Sequence, residues 1–207
     1  MNNNELKAQR ILKDLPEVGK GIIDILNENN INYAVIGGIA VARWSSPRDT
    51  GDIDFIVPAS SRSKLEELFD TRPLSMPGRD GITTIFNDAD VDFIFSEPHE
   101  DFFYKDRGSF LGLPVLGRNQ LLYLKLASTR AKDNSDIVYI CKNMSEQERE
   151  GFRKFLEHEV GHFNEKDEFI ESFNTSCLIA DLESKDQNKL AGVAFRKLLL
   201  RRYSHIL

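Results

Sequence analysis

Apolar residues recur with helical spacing near the start of the chain, at Leu6, Ile11, Leu12 and Leu15 and again at Ile22, Ile23, Ile25 and Leu26. They predict helix over residues 5–30, with a break marked by Pro16 and Gly19. The run Ile31–Ile36 predicts a short buried strand, Gly37-Gly38 a turn, and Ile39–Trp44 a short helix behind it. Asp52–Val57 predicts a second strand stopped by Pro58, followed by helix over Ser63–Phe69 and a loop from Thr71 to Asp80. Ile82–Phe86 and Val91–Phe95 predict a hairpin about Asn87-Asp88-Ala89-Asp90. Further extended segments are expected at Phe102–Tyr104 and Leu113–Leu116.

After Gly117 the pattern turns helical. Leu121–Ala127 and Ile137–Ile140 carry apolar residues at helical spacing, and helices are expected near 145–158, 165–173, 176–183 and 187–203. Ser145 and Glu148 have the spacing of a capping box. The expected architecture is therefore α/β (α+β): a mixed-sheet domain over residues 1–142, then a helical domain over 143–207. The chain has 207 residues and a net charge of −6, so it lacks the basic excess of a dedicated nucleic-acid binder. Two cysteines, Cys141 and Cys177, are too few for a disulfide scaffold, and no apolar run reaches the ~20 residues that span a bilayer. With no signal-peptide pattern at Met1–Glu5, a soluble cytoplasmic protein is expected, with no membrane partner.

The chemistry concentrates between Val35 and Phe55. Two glycines after a buried strand let the backbone approach a ligand, and the helix that follows offers N–H groups to an anion. Asp52 and Asp54 are two apart on a strand, so their carboxylates leave from one face, while Ile53 and Phe55 point to the other. Two adjacent carboxylates repel unless a cation lies between them, and hard oxygen donors suit Mg²⁺. Asp90-Val91-Asp92-Phe93 repeats the pattern of Asp52-Ile53-Asp54-Phe55. A carboxylate inside the apolar run Val91-Asp92-Phe93 is explained if it is a third ligand. A phosphate-binding turn beside such a set suits phosphoryl or nucleotidyl transfer.

These residues resemble the nucleotidyltransferase superfamily of DNA polymerase β: a Gly-Gly turn after a strand, Asp-x-Asp on the next strand and a further Asp on a later one. Thirteen residues separate Gly38 from Asp52. Arg48-x-Thr50-x-Asp52-Ile53-Asp54, and the run from Lys125 to Ile137, look like the branch of abortive-infection type toxins and related bacterial nucleotidyltransferases. The resemblance covers roughly residues 31–141. It implies an enzyme that moves a nucleoside monophosphate from an NTP, ATP among the candidates, to a hydroxyl. The acceptor implied is a macromolecule, RNA such as tRNA or a protein, ahead of a small molecule such as an antibiotic, and a toxin–antitoxin or phage-defence role with a cognate antitoxin is implied. Asp52, Asp54 and Asp92 would be catalytic and would hold Mg²⁺, as two ions, or Mn²⁺; the third acid is open between Asp90 and Asp92, with Asp92 preferred. Gly37, Gly38, Arg48, Thr50, Lys125, Lys132 and Asp136 would bind nucleotide. The chain departs from the pattern at the turn, which has Gly38-Ile39 where many members of the family carry a serine.

Several residues have a plainer explanation. Lys125 could snorkel from an apolar helix to water, and Asp133 has the spacing of a helix cap. His158-Glu159-Val160-Gly161-His162 matches the HExxH pattern of zinc hydrolases, yet no third ligand stands out downstream. The stretch Lys189–Leu207 holds Lys189, Arg196, Lys197, Arg201 and Arg202 and no acid, which suits either an RNA acceptor or the end of a helix. A nucleotide- or partner-binding module without turnover is the chief alternative to an enzyme. The intact carboxylate set argues against it.

Overall fold

The computed structural model describes residues 12, 14–45, 50–76, 79–128, 130–159 and 166–202. The chain forms two compact units, Met1–Leu121 and Leu122–Leu207. This boundary precedes the expected one near residue 142. The helix ending at Lys142 packs on a later helix within the second unit.

The first unit is built on a seven-stranded mixed sheet in the order β3-β4-β5-β2-β1-β7-β6. The strands are β1 (Ala34–Val35), β2 (Asp52–Pro58), β3 (Arg72–Met76), β4 (Arg79–Phe86), β5 (Ala89–Ser96), β6 (Arg107–Phe110) and β7 (Leu113–Leu116). Pairs β2–β5 and β1–β7 are parallel and the others antiparallel. Helices α1 (Leu15–Glu28) and α2 (Gly37–Trp44) pack on the sheet, and α3 (Arg62–Leu68) follows β2 through a short 3₁₀ turn. The core of β2 and β5 is aromatic: Phe55 stacks on Phe93 at 5.7 Å between ring centres, and Phe69 lies 5.5 Å from Phe93.

Four expectations fail here for identifiable reasons. Pro16 and Gly19 do not break a helix: Pro16 sits in the first turn of α1, where its missing N–H costs nothing, and Gly19 lets α1 close on Ile53 and Leu113. The loop expected over Thr71–Asp80 contains β3, in which Pro73 is tolerated because β3 is an edge strand. Phe102–Tyr104 belongs to a 3₁₀ helix, Pro98–Tyr104, not to a strand. Its start is a capping box between Glu97 and Glu100, and the Glu100 carboxylate makes a buried two-pronged pair with Arg79 at 2.6 and 2.7 Å. The hairpin turn is tighter than expected: Asn87 and Asp88 alone form it, both at positive φ (48° and 61°), as a twisted two-residue turn requires.

The second unit is helical, with α4 (Arg118–Ala127) running across the boundary into it. Then come α5 (Ala131–Lys142), α6 (Glu146–Glu159), α7 (Lys166–Ser184) and α8 (Asn188–Arg202). Ser145 and Glu148 form the expected capping box at the start of α6. The two helices expected over 165–173 and 176–183 are one. Thr175 and Ser176 donate back to the carbonyls of Glu171 and Ser172, so these polar residues continue the helix instead of ending it. Arg149 joins three helices, donating to the Cys141 carbonyl and to both Asp181 oxygens. Among the described residues no helix is long and apolar enough to cross a membrane.

The second turn position is one that glycine fills without steric cost, whereas Asp88 holds φ of 61°. Asp88→Gly is expected to raise unfolding free energy by about 0.5 kcal/mol, measured by urea denaturation. Asn87→Val should lower it by 1 kcal/mol or more on the order-of-magnitude cost of a β-branched residue in this region.

Candidate active site

Register decides which side chains meet. In the parallel pair β2–β5, Asp52 lies opposite Asp90 and Asp54 opposite Asp92, so all four leave from one face of the sheet. Ile53, Phe55 and Val57, on the other face, are fully buried. One carboxylate oxygen from each of Asp52, Asp54 and Asp92 comes within 4.8 Å of the others, and all three residues are half-buried. Asp90 is exposed and outside this group. Of the two acids left open by the sequence, the structure brings Asp92 to the pair.

Close approach on one side explains the two glycines. The Ile36 N–H donates to the Asp54 carbonyl at 2.8 Å, which continues the β1–β2 ladder up to the first residue of α2. Gly37 then takes φ of +61°, and a β-carbon on it would lie 1.7 Å from Asp54 Oδ2. No L-residue fits there. A β-carbon on Gly38 would lie 2.7 Å from Thr50 Cβ and Oγ1. Gly37-Gly38 is thus the opening of α2 rather than a free turn, and what the glycines admit is the Asp54 carboxylate and the Thr50 side chain. Thr50 Oγ1 donates to Asp52 Oδ1 at 2.5 Å.

The electrostatic balance can be weighed. Two carboxylates about 4 Å apart repel by about 1 kcal/mol in water and about 4 kcal/mol at the effective dielectric of a protein surface. The positive end of α2 beside Asp54 offsets about 0.3–1 kcal/mol of this. A divalent cation among the three oxygens reverses the sign altogether. Oxygen donors of this kind, half-buried and not fully dry, fit Mg²⁺ or Mn²⁺ and do not fit a zinc site of sulfur and nitrogen ligands.

Lys125, Lys132 and Asp136 belong to the second unit. Arg48 lies outside the described residues. Lys125 does not snorkel: it is 5% exposed, and its ammonium contacts Asp133 Oδ1 at 2.5 Å and Asp136 Oδ2 at 2.7 Å. Arg130 Nε adds 2.7 Å to Asp133 Oδ2. Asp133 therefore serves as a counter-ion in the first turn of α5, and the cap position belongs to Arg130. Burial alone would push the Asp133 carboxyl up. Lys125, with hydrogen bonds from Arg130, Lys125 and Ser128, overrides that and holds it at about 2. The sequence signal for this role was the pairing of one lysine in an apolar helix with two nearby aspartates. Lys132 is exposed on the same helix. His158 is exposed near the end of α6, and His162 lies outside the described residues, so the HExxH geometry is not among the described features. Among the described residues the aspartate trio is the one set placed to hold a metal ion.

Removing Lys125 takes away the cation that two buried carboxylates share. Lys125→Ala is expected to cost about 3 kcal/mol or more of stability, measured by denaturant unfolding near pH 7. Because the folded carboxyl of Asp133 titrates below its ordinary value of 3.8, its contribution is complete above pH 4 and is lost as pH falls toward 2. The loss amounts to about 2 kcal/mol, and Asp133→Asn should flatten the fall of stability over that window. Beside the aspartate trio, Gly37→Ala should cost stability through the Asp54 clash, whereas Gly51→Ala, with open space around it, should not.

No family model matches the chain, and no curated protein matches it. Solved structures do. The chain is similar to the antibiotic-resistance factor ANT(2'')-Ia in solution, at 16% identity over 93% of this chain and 92% of that one, with a TM-score of 0.43. It is similar to ANT(2'')-Ia in complex with adenylyl-2''-tobramycin at 15% identity over 89% and 98% of the two chains, TM-score 0.43. A third is an antigenic nucleotidyltransferase-like protein from Paracoccidioides brasiliensis, at 18% identity over 62% and 75%, TM-score 0.41.

Proposed function

We propose that the chain is a divalent-metal-dependent nucleotidyltransferase that moves a nucleoside monophosphate from an NTP to a hydroxyl acceptor. The observation that carries this reading is the convergence of Asp52, Asp54 and Asp92 beside the opening of α2. These three carboxylates would hold the metal, as two Mg²⁺ ions or Mn²⁺. The chemistry supplied by divalent metal there would be a lowered pKa for an acceptor hydroxyl and charge compensation for the leaving pyrophosphate. Asp52 and Asp54, fixed on a rigid central strand, set where the α-phosphorus must lie, and Asp92 completes the set from the neighbouring strand. The acceptor oxygen forms a bond to the α-phosphorus, the bond from that phosphorus to the bridging oxygen breaks, and the acceptor proton passes to solvent. The first N–H groups of α2, unpaired within their own helix, suit phosphate oxygens. Nucleotide contacts by Arg48, Thr50, Lys125, Lys132 and Asp136 rest on the family resemblance. For Lys125 and Asp136 they compete with the buried ion pairs.

Charge favours one class of acceptor. Asp90 adds a fourth carboxylate, exposed, to the face that bears the trio, and the whole chain carries −6. A polyanionic RNA would be repelled by this face, whereas a cationic small molecule with free hydroxyls would be drawn to it. The adenylyl-2''-tobramycin complex of ANT(2'')-Ia is an instance of such an acceptor in another protein. A macromolecular acceptor, an antitoxin and a defence role rest on the resemblance of the Arg48–Asp54 and Lys125–Ile137 segments alone.

The test is thermal melting with and without Mg²⁺ plus each NTP, for the wild type and Asp54→Asn, alongside transfer of label from α-labelled NTPs to aminoglycosides, total RNA and total protein. Without metal, Asp54→Asn should melt at the same temperature as the wild type or higher, because it removes one of three like charges. Mg²⁺ and nucleotide should raise the wild-type Tm, leave the variant unmoved, and support label transfer by the wild type alone. Equal ligand-induced stabilisation in both proteins would contradict the assignment. Label in RNA or protein instead of the cationic acceptor would overturn the acceptor class and leave the transferase reading standing.

A further inference from the structure

Thr50 falls in a stretch that the family resemblance assigns to nucleotide contact, yet its hydroxyl is directed elsewhere. Oγ1 lies 2.5 Å from Asp52 Oδ1, and a hydroxyl facing a carboxylate must donate, so the proton of Thr50 is committed to Asp52. Thr50 precedes β2, and its position is set from the other side by Gly38, whose bare α-carbon makes room for the Thr50 Cβ and Oγ1. Gly38 has no positive φ to justify glycine, so contact with Thr50 is the constraint that the structure shows at this position.

Resting on the metal-site reading above, we infer that Thr50 is a positioning residue for the Asp52 carboxylate and that Gly38 exists to seat Thr50. Asp52 is the first residue of β2, where the ladder holds the backbone but leaves the side chain free to rotate. Donation to Oδ1 fixes that rotation and keeps the carboxylate turned toward Asp54 and Asp92. A partner of this kind, which holds a ligand without touching the metal, typically contributes 10–100-fold to metal affinity. The glycine pair then has two separate jobs: Gly37 admits Asp54, and Gly38 admits the residue that aims Asp52.

The experiment is titration of the full chain with Mn²⁺ alone, without nucleotide, followed by electron paramagnetic resonance of free Mn²⁺. Variants are Thr50→Val, Thr50→Ser, Gly38→Ala, the Gly38→Ala/Thr50→Val pair, and Asp54→Asn as the reference for loss of a ligand. Thr50→Val should weaken Mn²⁺ binding about tenfold or more. Thr50→Ser, which keeps the hydroxyl, should bind within about threefold of the wild type on the same scale. Gly38→Ala should weaken binding as Thr50→Val does, and the double variant should be no worse than either single one, since both act through one hydrogen bond. Should Thr50→Val fail to fold, as judged by its melt, the comparison of Gly38→Ala with the wild type carries the test. Wild-type Mn²⁺ affinity in Thr50→Val and in Gly38→Ala, while Asp54→Asn loses it, overturns the positioning role and leaves the metal site intact. Equal Mn²⁺ affinity in the wild type and Asp54→Asn overturns the metal site itself, and the role of Thr50 with it.

Discussion

Three carboxylates held within a few ångströms of each other constrain everything around them. Their closeness follows from one register, the parallel pairing of β2 with β5 that sets Asp54 beside Asp92. Slipping β5 by one residue against β2 would turn Asp92 into the core now filled by Phe55 and Phe93, and would expose Phe93 in its place. The aromatic stack on one face and the acid cluster on the other are therefore one device. Burial of the phenylalanines fixes the strands, and the strands hold together charges that would otherwise separate.

That arrangement places demands on the neighbouring backbone. The Asp54 carboxylate occupies the space that a side chain at residue 37 would need, so the chain can enter α2 there only through glycine at positive φ. Thirteen residues on, Thr50 lies against both Gly38 and Asp52. The start of a helix, the residue leading into a strand and the strand itself thus interlock around two carboxylates. Preorganisation of this sort is what transfer chemistry requires, because groups that must stabilise developing charge contribute most when they need not move. The helical unit solves a different problem. Its ion pairs, buried for Lys125 with Asp133 and Asp136 and half-exposed at Asp181 for Arg149, link one helix to another.

Much of the site was legible in the sequence because its grammar is local. Asp-x-Asp on a strand places two acids on one face, and Asp92 between Val91 and Phe93 called for a reason to exist. The glycines were legible as a place of close approach, though not for the side chains that approach them: contact between Gly37 and Asp54 depends on β1 lying beside β2, which no local pattern states. The buried pairing of Lys125 was hidden on the same account, since neither nucleotide contact nor snorkelling, the two readings the sequence offered, names its counter-ions. A lone lysine in an apolar helix suggests a side chain reaching for water, and only the packing of α5 against it supplies two carboxylates. In the fold, strands with alternating patterns were readable, while β3 with its proline and the aromatic 3₁₀ turn were not. Edge position excuses the first, and a capping box joined to the buried Arg79–Glu100 pair overrides the strand propensity of the second.

The account turns on Asp52, Asp54 and Asp92 acting on one cation. The direct measurement is anomalous diffraction from crystals of the full chain grown with Mn²⁺ and a non-hydrolysable NTP analogue. The account predicts an anomalous peak within about 2.3 Å of a carboxylate oxygen from each of the three aspartates, with the triphosphate completing the coordination. A nucleotide bound elsewhere, or Mn²⁺ held without any of these carboxylates, would contradict it.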